Sequence, residues 1–410
     1  MEEKLFTRNF TLLVLGQASS LFGNYILRLA LSMYVLEMTG SATVFAGILS
    51  IAIIPTILLS PLGGILADRA DRRNIMVALD TLTGLAVLWA VILLSGTNDL
   101  AVIRVLLVVL SVLGAFETPT VQACIPQMLT GDNIIRGNAV VNQVASISYL
   151  IAPLLGGILY AIFGLKLVME TSVVCIFVTA LFECFIKLDF QPRDYQGNIL
   201  SMVKNDFFSS IRFVAKEQSN IMKMLILTAV SRFFVMGVTL VGLPYIVRTI
   251  LGLDATYYGG AESALAVATI LGSIAAGLLT GKLKFDKLSF VLAAIGICIV
   301  PAGAVFIFPC GVIFKYAVTV VAFCGMQVAI SIFSIFAVSV IQQNTPDYLI
   351  GKVMAYTSAI TMCAQPIGQM VYGFLFDGFS DAIYLVLIPT GLMVCVIGMV
   401  SFPRWKGETY

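Results

Sequence analysis

Long apolar stretches separated by short polar segments make up most of this chain. Each stretch approaches or exceeds the ~20 residues that an α-helix needs to cross a bilayer. A chain inside a bilayer must satisfy its backbone hydrogen bonds internally, and these stretches are too long for barrel strands, so all are predicted to be helices. The twelve predicted spans lie at residues 9–36, 43–67, 75–96, 100–125, 137–161, 164–187, 221–250, 257–281, 288–309, 312–341, 353–376 and 381–402.

The composition supports an all-α membrane protein and excludes several other classes. Hydrophobic residues make up 60% of the 410 positions and charged residues 11%, against roughly 25% charged residues in soluble domains. A soluble enzyme, a disordered chain and a nucleic-acid-binding protein are therefore excluded. The sequence has no histidine, and its eight cysteines form no CxxC pair, so we expect no metal site, no disulfide framework and no cofactor. It also lacks a GxxxxGKS or GxxxxGKT loop, so ATP is not the expected energy source.

The Lys and Arg residues indicate how the chain is oriented. If both termini lie inside the cell, most of the 24 basic residues fall in cytoplasmic segments. This asymmetry predicts cytoplasmic N and C termini and an even number of spans. We therefore expect a multi-pass protein of the cytoplasmic membrane. The basic residues left in outer segments are Arg104, Lys166, Arg248 and Lys315.

The two halves of the chain repeat each other weakly but in order. GGILADRADRR (63–73) aligns with AGLLTGKLKFDK (276–287), an offset of 213 residues (276 − 63). IPQMLTGDNIIRGNAV (125–140) aligns with IQQNTPDYLIGKVMAY (341–356), an offset of 216 (341 − 125). Both copies would start inside, so the repeat is parallel, as in transporters built from two six-helix halves. The predicted domains are an N-terminal six-helix bundle, a cytoplasmic linker and a C-terminal six-helix bundle, at 1–187, 188–219 and 220–410.

Three segments carry a resemblance to a known family. GGILADRADRR, between the second and third stretches, resembles the signature loop of the major facilitator superfamily. APLLGG (152–157) resembles the core of an antiporter motif, and FETPTVQACIPQM (116–128) is similar to the macrolide-efflux-like branch. The resemblance implies the major facilitator fold, with twelve helices in two pseudo-repeat bundles. It also implies a bacterial drug:proton antiporter that works by alternating access.

The signature loop has a mechanical interpretation as a cytoplasmic gate. Its glycines allow close helix packing, Asp68 can accept hydrogen bonds from a helix N-terminus or a facing arginine, and the arginines face anionic headgroups. The alternative is ordinary positive-inside charge. The predicted gate residues are Gly64, Asp68, Arg69, Asp71, Arg72 and Arg73.

The antiporter-like motif predicts a bend in the fifth stretch. Pro153 removes one backbone hydrogen bond, while Gly156 and Gly157 allow close packing. Such a bend could form a hinge or a seal of the N-terminal half. The alternative is the ordinary Pro and Gly content of membrane helices.

Polar side chains recur at helical spacing on four of the stretches. Polar stripes are costly in lipid, so these are predicted to face a bundle interior or a substrate cavity. Single hydrogen bonds between helices are the alternative. The cavity candidates are Gln17, Ser20, Asn24, Asn142, Ser146, Tyr149, Gln327, Ser331, Thr361, Gln365 and Gln369.

Ionisable side chains within predicted spans are the sharpest functional signal, since a central charge costs about 2.5–3.5 kcal/mol to insert. Glu117, Arg28 and Arg232 lie deepest. With no histidine, carboxyl groups must carry any protons, so Glu117 is the leading proton carrier. We expect it to exchange partners with Arg28, with a static ion pair as the alternative. Glu262 is a further coupling candidate, although it could simply reach the interface, as could two other acids near span ends: Asp80 and Glu170.

These features favour a secondary exporter that exchanges protons for amphipathic or lipophilic small molecules. Export of a native metabolite such as a siderophore or lysolipid, or uptake of a nutrient, are the alternatives. The expected partners are the lipid bilayer, the small-molecule substrate and protons, with no nucleic acid. The proton gradient supplies the driving force in place of a cofactor. The architecture needs no second chain to form its pathway, so we expect a monomer.

Overall fold

Long helices joined by short connections form an all-α architecture in the described part of the chain. The computed structural model describes residues 5–94, 96, 98–188, 219–279, 285–343, 345 and 350–401. The helices of the first part are α1 (Arg8–Thr39), α2 (Ala42–Arg69), α3 (Arg72–Leu93), α4 (Asp99–Met128) and α5 (Asp132–Cys184).

The second part begins with a helix that changes its winding. Helix α6 (Ser219–Gly237) continues without a break through π-helical turns at Val238–Gly242 and Ile246–Ile250. Pro244, which has no backbone N–H to donate, lies between the two π-helical turns. A 3₁₀ turn at Ser380–Ala382 comes before the last helix. The remaining helices are α7 (Ala255–Leu279), α8 (Phe285–Ala304), α9 (Val312–Gln343), α10 (Ile350–Gly378) and α11 (Tyr384–Ser401).

Helix α5 contains the predicted stretch 137–161 and most of the stretch 164–187. It breaks at Gly164, where φ is 73° and ψ is −175°. Glycine tolerates this left-handed φ because it has no Cβ. We call the parts before and after the break α5a (132–163) and α5b (165–184). In the described part of the chain, nine helical segments are long and apolar enough to cross a membrane, with α5 counted as one.

The described residues pack into two units. The start of α2, Ser41–Ser50, packs within the second unit, and the start of α7 packs within the first. The predicted linker at 188–219 lies almost entirely outside the described residues. The first unit comprises the described residues of Met1–Gly40, Ile51–Tyr195 and Leu253–Ser263, and the second those of Ser41–Ser50, Gln196–Gly252 and Ala264–Tyr410.

Close helix packing holds each unit together. In the first unit, a buried apolar cluster that includes Phe10, Met76 and Ile125 joins α1, α3 and α4. In the second unit, α8 and α11 approach so closely that a Cβ at Gly296 or Gly391 would strike the opposite backbone. Small residues at such crossings are typical of helices that pack in lipid. All eight cysteines lie within the described ranges and are free.

Large apolar side chains cover much of the described surface. Trp89, Ile92 and Leu278 are 64%, 70% and 74% exposed. Soluble proteins rarely expose large contiguous apolar patches, whereas a lipid bilayer solvates such side chains. The surface therefore matches a chain embedded in a lipid bilayer.

Candidate functional site

Three acidic side chains from different helices meet in the first unit. They are Asp80 on α3, Glu117 on α4 and Glu183 near the end of α5b. Asp80 and Glu183 are each 1% exposed. Asp80 interacts electrostatically with both glutamates, and Glu183 also interacts with Glu117. We call these three residues the carboxyl cluster.

Helix α1 forms the polar wall of the carboxyl cluster. Ser20 donates a hydrogen bond to Oε1 of Glu117 at 3.5 Å, and Asn24 donates to Oγ of Ser20 at 3.3 Å. One turn earlier, α1 packs against α5b, where the hydroxyl of Thr179 donates to the carbonyl oxygen of Gly16 at 3.0 Å. The polar face of α1 therefore runs along the cluster.

The carboxyl cluster has unused hydrogen-bonding capacity. Within the described part of the chain, Oδ2 of Asp80 and Oε2 of Glu183 are buried and have no hydrogen-bond partner. Such atoms are costly, so they call for a functional explanation. No group of three metal-ligating side chains in the described residues is arranged to hold a metal ion. Carboxyl groups in electrostatic contact titrate as a set, so this arrangement is suited to proton uptake and transfer.

The neighbours of Glu117 in the structure differ from those that the sequence predicts. Among the described residues its α1 neighbour is Ser20, and the expected pairing of Glu117 with Arg28 is not found. Asp80 does not reach the interface, since it is buried inside the protein. Sequence reasoning missed Glu183, although an acidic residue within the stretch 164–187 carried the same signal as the others.

Arg28 instead belongs to a second polar site in the first unit, where α1, α5a and the start of α7 meet. Its charge interacts with Glu262, whose Oε1 accepts a hydrogen bond from the Tyr258 hydroxyl at 2.6 Å. The rings of Tyr25 and Tyr149 pack edge to face beside them, with centroids 5.4 Å apart. Both rings lie close enough to Arg28 to interact with its charge. This tyrosine site combines a cation, a carboxyl group and aromatic surface, which suits an amphipathic ligand.

Two of the predicted cavity residues link neighbouring helices in the second unit. Gln327 on α9 donates from Nε2 to Oγ1 of Thr269 on α7 at 3.0 Å. Ser50 on α2 donates to Oε1 of Gln369 on α10 at 3.5 Å. At these two positions the geometry favours the alternative of hydrogen bonds between helices.

The other polar candidates differ in their burial and in their hydrogen bonds. Gln17 is buried, and its Nε2 has no hydrogen-bond partner among the described residues. Asn142 is exposed, and Gln365 and Arg232 are half-buried, with Arg232 on α6 of the second unit. Three hydroxyl groups donate to carbonyl oxygens one turn earlier in their own helices: Ser146, Ser331 and Thr361.

The antiporter-like motif is a site of close helix packing. Pro153 lies inside α5a, which stays helical around it. A Cβ at Gly156 would lie 3.1 Å from Cα of Ile26, and one at Gly157 would lie 2.5 Å from the carbonyl oxygen of Ala255. The glycines therefore let α5a pack against α1 and the start of α7. The hinge or seal stays a prediction.

The described part of the signature loop joins three helices. Asp71 caps α3 by accepting a hydrogen bond from the backbone N–H of Arg73 at 3.0 Å. Arg72 donates to the carbonyl oxygens of Ala67 on α2 and Ala123 on α4, both at 2.7 Å. Arg72 therefore ties together the ends of α2 and α4 and the start of α3. Three predicted gate residues lie in the last turns of α2 with side chains outside the described part: Gly64, Asp68 and Arg69.

Comparison with known proteins covers nearly the whole chain. The sequence profile of the Major Facilitator Superfamily matches residues 13–363. The chain is 22% identical over 396 residues to Macrolide efflux protein A of Streptococcus pyogenes, covering 93% of this chain and 92% of that protein. It is also 22% identical over 344 residues to Macrolide efflux protein A of Enterococcus faecalis, covering 80% and 99%.

Solved transporter structures share the fold at low sequence identity. A bacterial homologue of the iron transporter ferroportin, in its inward-facing state, matches with a TM-score of 0.74 and 17% identity over 98% of this chain and 99% of that chain. A D-xylose–proton symporter matches with a TM-score of 0.71 and 11% identity, over 98% and 99%.

The chain therefore belongs to the major facilitator superfamily. It is a membrane transporter rather than an enzyme, and it resembles macrolide efflux proteins along most of its length. The predicted family and transporter class are confirmed. The count of twelve spans and the cytoplasmic termini stay predictions.

Proposed function

We propose that this transporter exports amphipathic or lipophilic compounds, macrolide-like drugs among them, in exchange for protons. The similarity to macrolide efflux proteins supports the substrate class, and the aromatic surface of the tyrosine site is compatible with it. We further propose a monomer in the bacterial cytoplasmic membrane with cytoplasmic termini. In this proposal α5a and α5b each form one span, which gives twelve.

The observation that carries proton coupling is the carboxyl cluster. Among the described residues, no Lys or Arg interacts electrostatically with Asp80 or Glu183, and Glu117 has only Ser20 as a hydrogen-bonding side chain. A permanent partner cation would favour a fixed ion pair with a structural role. Acids without such a partner can load and unload protons. The hydrogen bond from Ser20 to Glu117 supports coupling to transport, because Ser20 belongs to the polar face of α1, where a substrate could bind.

A growth-inhibition panel in a pump-deficient bacterial host tests export and the role of Glu117. The wild type should protect against macrolides, and Glu117→Gln should lose that protection at equal membrane level, because an amide does not exchange protons near neutral pH. Glu170→Gln is the matched control, since it makes the same change at an exposed acid. It should protect like the wild type.

Everted membrane vesicles then separate coupling from binding. Adding erythromycin to energised vesicles that contain the wild type should release protons, measured with a pH-sensitive dye, whereas vesicles with Glu117→Gln should not respond. Protection and proton release that survive in Glu117→Gln would keep export and remove Glu117 as the carrier. If the wild type protects against no macrolide, dye or cationic drug, drug export is wrong, and a native metabolite or nutrient uptake takes its place.

A further inference from the structure

A basic cavity lies in the first unit where α1 and α3 begin and α5b ends. Its volume is about 290 Å³. This is roughly the volume of ten water molecules at ~30 Å³ each, enough for a small polar group such as glycerol phosphate. We call it the arginine pocket. The residues that line it include Arg8, Asp71, Arg73, Phe185, Lys187 and Leu188.

The charges of the arginine pocket favour an anion. Three lining side chains are cationic. The carboxylate of Asp71 already accepts a hydrogen bond from the backbone N–H of Arg73, where Asp71 caps α3. Arg73 donates from Nη2 to the carbonyl oxygen of Cys184, but its buried Nε has no hydrogen-bond partner in the described part of the chain. A buried guanidinium N–H without an acceptor is costly. Three cations against one carboxylate leave the pocket lining with excess positive charge, which an anion in the pocket would neutralise.

The wall of the pocket is held in place before any ligand arrives. Asn9 donates from Nδ2 to the carbonyl oxygen of Lys187 at 2.6 Å and accepts from its backbone N–H at 3.2 Å. This double hydrogen bond fixes the segment after α5b against the start of α1. Because the backbone of this wall is already ordered, less order has to be imposed when an anion binds.

Apolar surface lies next to this charge. Phe185, on the pocket wall, is 52% exposed, and Phe6, two residues before Arg8, is 58% exposed. A free anion makes no use of such surface, whereas an acyl chain can pack on it. Basic pockets at the cytoplasmic ends of membrane helices are suited to anionic lipid headgroups.

We propose that the arginine pocket binds a phosphate group supplied by an anionic phospholipid, with Arg8, Arg73 and Lys187 contacting the phosphate and Phe185 the start of an acyl chain. The bound lipid would bridge the ends of α1, α3 and α5b. A transport cycle that separates these ends would have to break the bridge.

Native mass spectrometry of the purified, delipidated full-length protein tests the proposal. Phosphatidylglycerol is added in one arm, phosphatidylcholine in a second and inorganic phosphate in a third. The wild type should retain phosphatidylglycerol in preference to phosphatidylcholine. The double variant Arg8→Gln/Lys187→Gln should bind it about tenfold more weakly or worse, because two charge-assisted contacts are lost. Both side chains can change without loss of the Asn9 hydrogen bonds, which use the backbone of Lys187.

The matched control removes the same charge elsewhere. Arg136→Gln/Lys166→Gln changes two exposed cations outside the pocket and should bind phosphatidylglycerol like the wild type. Equal binding by the pocket variant and the control would overturn the proposal, as would equal retention of both lipids by the wild type. Inorganic phosphate could compete fully with phosphatidylglycerol and raise the unfolding temperature by the same amount, with both effects lost in Arg8→Gln/Lys187→Gln. In that case the pocket binds phosphate, and the proposal that a lipid supplies it is overturned.

Discussion

The three acids of the carboxyl cluster interact in every pair: Asp80 with both glutamates, and Glu183 also with Glu117. Ser20 on α1 donates to Glu117 and also lies beside Asp80 on α3, and Asp80 and Glu183 on α5b are almost fully buried. The difference in burial suggests different roles within one titrating set. Glu117 would carry the proton next to the substrate, and Asp80 with Glu183 would hold the proton or pass it on.

Replacing Asp80 should therefore separate proton coupling from substrate movement. In proteoliposomes, Asp80→Asn is expected to abolish accumulation of labelled erythromycin driven by a pH gradient. Exchange of labelled for unlabelled erythromycin without a gradient should continue, because the polar face of α1 is unchanged. Glu183→Gln should behave in the same way, and the exposed-acid variant Glu170→Gln should accumulate like the wild type. Gradient-driven accumulation that persists in both cluster variants would rule out a proton-holding role for Asp80 and Glu183.

At the scale of the helices, apolar periodicity is a strong guide because lipid leaves the backbone few alternatives. The apolar pattern predicted a stretch at the position of every observed helix. It did not predict that two of these stretches join in α5, with one break at Gly164. It also gave no distances between helices. Arg28 lies eight residues beyond Ser20 (28 − 20), about 12 Å along α1 at 1.5 Å per residue. The residue that touches Glu117 is therefore Ser20, while Arg28 meets Glu262.

The close packing of α5a predicts that replacing glycine by alanine destabilises the protein at Gly157 but not at Gly114. Gly157→Ala should lower the unfolding temperature in detergent, because the new Cβ would lie 2.5 Å from the carbonyl oxygen of Ala255 and overpacking costs ~1–3 kcal/mol. Gly114→Ala on α4 is the control, since a Cβ there has no described atom within 4 Å. It should be neutral or stabilising by up to ~1 kcal/mol, the helical preference of Ala over Gly. Equal unfolding temperatures for the two variants would contradict the close crossing at Gly157.

At the scale of the whole molecule, the internal repeat predicted two halves but not which short segments each unit contains. Ser41–Ser50 packs in the second unit although it precedes most of α2, and Leu253–Ser263 packs in the first. The unit in which a segment packs depends on its specific contacts, and the hydropathy pattern does not reveal those contacts. The start of α2 is held by Asp377 at the end of α10, which accepts from the hydroxyl of Ser41 at 2.6 Å and from the backbone N–H groups of Ala42 and Thr43 at 2.7 and 2.9 Å.

Asp377 should therefore control how firmly the start of α2 stays in the second unit. The carboxylate satisfies N–H groups that a helix start leaves unpaired and complements the helix dipole. In Asp377→Asn the charge and one acceptor are lost, which should weaken the attachment by ~1.5–3 kcal/mol. Hydrogen–deuterium exchange of residues 42–50 should then speed up, while Asp381→Asn, at an exposed acid four residues away (381 − 377), leaves it unchanged. A weaker attachment would also favour the conformations in which this segment is released, so the rate of substrate transport should change together with the exchange rate. Identical exchange of residues 42–50 in both variants would show that Asp377 does not hold the segment.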